Sequence, residues 1–429
     1  MKKITILLIL LCSILLFSCS KDLESPLLIH YPQKVESGDS VNSFFVNSEN
    51  ALNTANHFWS LKNEENLEGK KNSIITSKIV DKIDEFKDDE NNTIFYIFNY
   101  KGSSGFTIVS SDKRMIPILA YSEEGIFDKK TDNPGIQFWC SLVKDAYKES
   151  KRTEKIADDV ARMWTRFEKQ SLKSGNLLKS ENCGEIPNIL VQHLTHYKSI
   201  WSQGTGYNYY CSNRSGCDCG KASIGCGPVA MGQVLKYYGK QVLINGTIFT
   251  QNDFATMPQY IPYSCSPSAN ELKIASLLRK IGSDLNADYF LATNCQTVVL
   301  TPSNIVSLFN AIGYTSSEVK FFSNIDKVEA ELKNNRPVIL YGSNCDICIW
   351  NAHIWVLDGM QKSFWYDEVT RYDDYGNSWI DCVLNTNVAY QMNWGWGGNG
   401  DSGWYTLYNF NGNGTNYNNA NMKAYLIKP

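Results

Sequence analysis

Cys226 stands in the run Ser223-Ile224-Gly225-Cys226-Gly227-Pro228-Val229-Ala230-Met231-Gly232-Gln233-Val234-Leu235-Lys236-Tyr237-Tyr238-Gly239. Met231, Val234, Leu235 and Tyr238 recur at three- and four-residue steps, Pro228 suits a first helical turn and Gly239 a C-terminal cap. The spacing predicts a helix that begins at the cysteine. Free backbone N–H groups and the positive end of the helix dipole stabilise a thiolate there, and such sites draw a thiol pKa from about 8.5 toward roughly 3.5 to 7.5. Cys226 is therefore a candidate nucleophile. The plainer alternative is a small residue that lets a glycine-lined turn pack.

A nucleophilic thiolate needs a group that takes and returns a proton. The chain has 5 histidines: His30, His57, His193, His196 and His353. His30 falls in a polar N-terminal stretch, His57 in a small first unit, and His193 and His196 in what reads as a surface lead-in before Trp201. His353 lies in Asn351-Ala352-His353-Ile354-Trp355-Val356-Leu357-Asp358-Gly359, an alternating strand that an Asp-Gly turn is expected to end. It is the candidate acid/base, against the ordinary alternative of a packed core histidine. Asn393 opens Asn393-Trp394-Gly395-Trp396-Gly397-Gly398, where its amide can orient the imidazole while Trp394 shields that bond from water. Gly395, Trp396 and Gly397 leave room for a substrate backbone, although Trp396 also fits a packing role. Gln203, ahead of Cys226 in Trp201-Ser202-Gln203-Gly204, can supply a side-chain N–H to an oxyanion beside the Cys226 backbone N–H. A phosphate-binding loop does not fit, since no Lys-Ser or Lys-Thr pair follows the glycines.

These residues need a body to hold them. The chain is 429 residues long with 41 Lys+Arg against 44 Asp+Glu, net −3, which argues against nucleic acid as a partner. Hydrophobic residues at 43% and charged residues at 20% describe a globular chain, and the length predicts two or three domains. Lys2 and Lys3 precede an apolar run from Ile4 to Phe17, an export leader too short to span a membrane comfortably. Residues 19–40 read as a polar tether. The stretch from Ser43 to Lys62 has helical spacing, and strands are expected at Thr93–Tyr100, Gly105–Ser110 and Ile116–Tyr121, with a hairpin loop over 101–105. Residues 41–135 thus form a small α+β unit with no nucleophile or base of its own. Residues 136–180 read as two amphipathic connecting helices and an exposed loop, open to cleavage between Lys169 and Cys183. Residues 181–429, rich in Tyr, Trp, Asn and Gly, form the second body.

The order Trp-x-Gln, Gly-Cys on a helix, Ala-His-x-Trp-Val-x-Asp-Gly and Asn-Trp-Gly-Trp-Gly-Gly resembles the streptopain family of cysteine peptidases, papain-like enzymes made as zymogens. His353 follows Cys226 by 127 residues, near the papain-like interval. Ser104 to Arg114 and Ile118 to Ser122 are similar to that family's prodomain. The resemblance implies an α+β chain: a small inhibitory prodomain, then a papain-like catalytic domain with a helical half bearing the Cys and an antiparallel β half bearing His and Asn. It implies Cys226 as nucleophile, His353 as general acid/base, Asn393 as orienter, Gln203 as oxyanion donor and Trp394 as cover. Peptide or protein substrates follow, with the chain's own prodomain as intramolecular inhibitor and no metal or organic cofactor. Leu16-Phe17-Ser18-Cys19 resembles a bacterial lipobox, making residues 1–18 a lipoprotein signal peptide and Cys19 the lipidation site and membrane anchor. Ser20 to Glu24 looks like the tag that sends lipoproteins of Bacteroidetes to the cell surface.

The chain departs from the family pattern at Gly227-Pro228, at Asn351-Ala352 before the histidine, and in the long stretch from Gln361 to Gln391. Of 13 cysteines, Cys12 belongs to the leader and Cys19 to the lipid, which leaves an odd number. Ten are expected to pair and Cys226 to stay reduced. Cys211, Cys217 and Cys219, with Cys345 and Cys348, leave a zinc site as an alternative, disfavoured because neither cluster holds a histidine and an exported chain favours disulfides. A binding lipoprotein without turnover, and an amidase or transferase using the same Cys-His pair, also remain open.

Overall fold

The computed structural model describes residues 44–67, 78–168, 179–180, 183–185, 191–194, 199–289, 295–299, 301–343, 352–397, 402–412 and 421–429. The leader, Cys19, the tether, His30, His196, Cys345, Cys348 and most of the expected cleavage loop lie outside them.

Eleven strands form one sheet. In chain order they are β1 Val80–Lys87, β2 Thr93–Tyr100, β3 Phe106–Ser110, β4 Ile118–Ser122, β5 Val191–Leu194, β6 Thr315–Lys320, β7 Val338–Ser343, β8 Ala352–Tyr372, β9 Ser378–Asn393, β10 Gly403–Tyr405 and β11 Asn421–Lys428. Their order across the sheet is β1-β2-β3-β4-β10-β9-β8-β7-β11-β6, with β5 pairing on β8. β2, β3 and β4 are the three strands expected from the sequence, β1 was not foreseen, and β4 joins the later strands through the antiparallel pairs Tyr121↔Trp404 and Ala120↔Tyr405. The turn after β2 needs glycine: Gly105 has φ +103°, and a Cβ there would sit 2.0 Å from the Ser122 carbonyl oxygen.

Both faces of the central strands are covered, which explains their unbroken apolar runs. Val338 and Leu340 of β7 and Trp355 and Leu357 of β8 face one core, with the first unit, including its helix α1 Ser48–Leu67, and helices α2 Pro134–Ser150 and α3 Asp158–Glu168. Ile339 and Tyr341, and Ile354 and Val356, face the other, built on α4 Cys226–Tyr238 and α5 Ala269–Asp284. Helices α2 and α3 are more than connectors. Phe138 of α2 packs on Gly342 of β7, where a Cβ would lie 2.5 Å from its ring, and Trp139 donates to the Thr406 carbonyl at 2.9 Å.

Two local expectations fail. The strand of His353 does not end at Asp358-Gly359: β8 runs on to Tyr372, because Gly359 is paired with Leu194 of β5 and Asp358 is buried rather than turned to water. For the same reason His193 lies in a strand, opposite Met360, and not in a loose lead-in. The long stretch from Gln361 to Gln391 is the outer part of the β8–β9 hairpin. Its tip spans 370–379. There the Asp373 carboxylate accepts the Tyr375 and Asn377 backbone N–H groups at 2.9 and 2.8 Å.

Candidate active site

Helix α4 begins at Cys226 after Gly225, whose φ of +93° only glycine adopts without strain. Gly227 is a close approach: a Cβ would meet Val299 at 2.9 Å and Ile354 at 3.3 Å. Gly227-Pro228 therefore starts the helix against β8 without distorting it. At the far end Gly239 is left-handed, φ +62°, and donates its N–H to the Leu235 carbonyl, the expected cap. The approach to the thiol is fixed by Ser223, whose N–H bonds Cys295 O at 2.9 Å, and by Ile224, whose N–H bonds Gln203 O at 2.9 Å.

A cleft of about 620 Å³ opens over Cys226, with Gln203, His353, Trp396 and Gly397 among its walls. Gln203 lends its backbone to the approach, and its side-chain Nε2 is buried with no hydrogen-bond partner among the described residues. A donor held dry and unsatisfied is prepared for an acceptor that arrives with a ligand. The Trp396 indole N–H is likewise buried and unpartnered among the described residues. Gly395 and Gly397 have φ of +73° and +77°, and the Gly397 N–H anchors the loop on the Trp201 carbonyl at 3.1 Å.

The histidine ring is held by a backbone carbonyl. His353 shares the strand face of Trp355, its ring nearly parallel to that indole at 6.0 Å between centroids. Its Nε2 meets the Trp394 carbonyl oxygen at 2.8 Å. A carbonyl only accepts, so Nε2 carries the proton and Nδ1 is the basic nitrogen. Cys226 Sγ instead receives backbone N–H groups from Ile354, Gly227 and its own residue. Helix α2 holds this arrangement: its first turn places Gly135 so close that a Cβ would lie 2.3 Å from the Trp394 ring and 2.7 Å from His353 Cδ2.

One electrostatic expectation, a thiol drawn down by the helix N-terminus, is corrected accordingly. Burial pushes the Cys226 thiol up, outweighing the helix N-terminus and the N–H donors that pull it down. Burial likewise lowers His353 to about 4, which the Trp394 carbonyl only partly opposes. Both shifts favour the neutral thiol and imidazole over an ion pair in this state.

The Asn393 amide is not hydrogen-bonded to His353. Its Nδ2 donates to the Ser199 carbonyl at 2.7 Å and its Oδ1 accepts the Gly395 N–H at 3.1 Å. The buried backbone of Ser199 and Gly395 claims the amide, while the neighbouring Trp394 carbonyl takes the imidazole. Trp394 is buried, with its ring on Trp355 and Tyr405 at 5.2 and 5.3 Å.

Disulfides join Cys183–Cys382, Cys217–Cys295 and Cys219–Cys265. Cys217 and Cys219 are thus oxidised rather than metal-ligating, and among the described residues no cluster of three or more His, Cys, Asp or Glu is placed to hold a metal ion. Ten paired cysteines is not the outcome: Cys211 is a buried thiol alongside Cys226. Sequence reasoning passed over Gly135, which carried no local signal. It also passed over Gln233, whose signal was an amide among the apolar residues of α4.

The Spi protease inhibitor family model matches residues 43–147, and the Peptidase C10 family model matches residues 201–405. Streptopain of Streptococcus pyogenes is 24% identical over 335 residues, which is 71% of this chain and 72% of streptopain. Streptopain of Streptococcus pyogenes serotype M1 matches to the same extent. The solved structure of a prointerpain A fragment from Prevotella intermedia shares the fold, with a TM-score of 0.50 at 17% identity, over 80% of this chain and 97% of that one. The two family models succeed one another along a single sheet, and the chain is a streptopain-like cysteine peptidase of the C10 family with an inhibitor-like domain before its peptidase domain.

Proposed function

We propose that this chain is an exported cysteine endopeptidase made as a latent zymogen, with Cys226 as nucleophile, His353 as general acid/base, Asn393 as orienter and Gln203 as oxyanion donor. The observation that carries the reading is the meeting of Cys226, at a helix N-terminus, with His353 and the unpartnered Gln203 donor in one cleft. Latency follows from Gly135 packed on His353 and Trp394. Once α2 withdraws, the imidazole is free to turn so that Nδ1 takes the Cys226 proton. The thiolate then attacks the scissile carbonyl, the Cys226 N–H and Gln203 Nε2 receive the oxyanion, and the imidazolium protonates the leaving amine. Water, deprotonated by His353, resolves the thioester. In that state Asn393 holds Nε2 in place of the Trp394 carbonyl, Trp394 covers the bond, and Gly395, Trp396 and Gly397 border the substrate.

Activation removes residues before Cys183, the leader 1–18 directs export, and Cys19 anchors the chain by lipid at the outer membrane or cell surface. The test compares wild type and Cys226→Ala after removal of the inhibitor-like domain. Casein hydrolysis and covalent labelling by the epoxide E-64 should both vanish in the variant. Full activity in Cys226→Ala, or a wild-type fragment that no thiol-directed probe labels under reducing conditions, would overturn the reading. Labelling without hydrolysis of any polypeptide would instead point to an amidase or transferase.

A further inference from the structure

We propose that Gln233 is a positioning residue of this active site, tying the segment that carries Gln203 and the segment that carries Asn393 to the helix that carries Cys226. The inference rests on the catalytic reading above.

Gln233 lies two turns along α4 from Cys226, on the same face, and is fully buried. Its Oε1 accepts the Trp201 backbone N–H at 3.0 Å, two residues before Gln203, and lies 3.5 Å from Asn393 Nδ2. Each tie is closed by a second bond. The Trp201 carbonyl accepts the Gly397 N–H at 3.1 Å, and Asn393 Nδ2 donates to Ser199 O at 2.7 Å. One side-chain oxygen therefore joins the three stretches of chain that must meet for acyl transfer. All of it lies within the peptidase domain, so it outlasts the loss of the inhibitor-like domain.

The other half of the amide sharpens the case. Gln233 Nε2 is buried with no partner among the described residues, a standing cost that Leu or Met at this core position would not carry. What the amide contributes is its acceptor. A donor displaced by about 1 Å from its working position costs on the order of 100-fold in rate, and Gln203 is held at its N-terminal side by this bond.

The experiment uses the activated enzyme, with kcat expressed per Cys226 thiol titrated by E-64. Gln233→Leu removes the acceptor, Gln233→Asn draws it back by one methylene, and Gln233→Glu keeps it in place. Expected are kcat losses of about 10- to 100-fold for Leu and about 10-fold for Asn, with KM changed less than about 3-fold and Glu close to wild type. A purely structural role would lower the melting temperature and the titratable fraction while leaving kcat per titrated thiol unchanged. That result in Leu and Asn overturns the proposal. Should Gln233→Leu not fold, the contrast between Asn and Glu decides, and equal kcat in those two overturns it. A wild type without Cys226-dependent turnover overturns the catalytic reading, and this proposal with it.

Discussion

His353 and Asp358 lie on one strand, both buried, and burial moves them in opposite directions, His353 down to about 4 and Asp358 up to about 8. The unfolded histidine titrates near 6.5, so the stability from keeping it neutral is complete above that pH and is lost as pH falls toward 4. The unfolded aspartate titrates near 3.8, so the stability from keeping it protonated is complete below that pH and is lost as pH rises toward 8. Each slope is about 1.4 kcal/mol per pH unit. The two offset between roughly pH 4 and 6.5, and from there to about pH 8 only Asp358 remains. The urea midpoint of the latent chain should therefore fall across the upper window, and Asp358→Asn should flatten it. An Asp358→Asn chain whose midpoint falls as steeply as wild type there would show that another group carries the slope. That Cys226 and His353 meet in one cleft was legible because histidine is scarce and the surroundings of this cysteine are distinctive. The Asn393 bond was not, since which buried acceptor an amide chooses depends on Ser199, 194 residues away in sequence.

At the scale of elements the decisive contact is the first turn of α2 against His353. Three- and four-residue spacing located α2 and α3, and a connector was the reading because their charged residues mark an outer face. What spacing could not reveal is that Phe138 and Trp139 of α2 belong to a core shared with β7 and β10. Asp358-Gly359 misled in the same way: a turn signal is local, and pairing with β5 overrides it. Gly135 supplies a test of the restraint. Alanine is the better helix former by about 0.8 to 1.0 kcal/mol, so Gly135→Ala should not weaken α2 itself. Its methyl group would nevertheless overlap Trp394 and His353, and α2 or the rings must give way. Freshly purified full-length Gly135→Ala should hydrolyse a fluorogenic peptide several-fold faster than wild type, while the activated fragment, lacking residue 135, behaves identically. A variant as silent as wild type would mean that the first turn of α2 is not what restrains the histidine.

For the whole molecule the governing fact is that the inhibitor-like strands and the peptidase strands are one sheet. The order of the two bodies could be read from composition, but their fusion could not, because Tyr121 and Trp404 pair across most of the chain and leave no local pattern. The seam is extensive. Ile116 N–H bonds Phe410 O at 2.7 Å, Thr406 N–H bonds Leu119 O at 3.0 Å, Tyr121 OH donates to Gln361 at 2.7 Å, and Arg162 reaches Asn385 at 2.7 Å. Apolar side chains of both parts fill the core beneath it. A single cut between residues 169 and 182 severs the chain but none of these contacts, and Cys183 stays fastened to Cys382 of β9. Cleavage and activation should therefore be separate events. In a Cys226→Ala chain cut once there, at an inserted protease site, the two pieces should co-elute on size exclusion and part only in denaturant. In the wild type, activity should lag behind the cut and rise as the inhibitory piece is itself degraded. Pieces that separate on cutting, with activity rising in step, would show that the covalent link, and not the continuous sheet, keeps the peptidase latent.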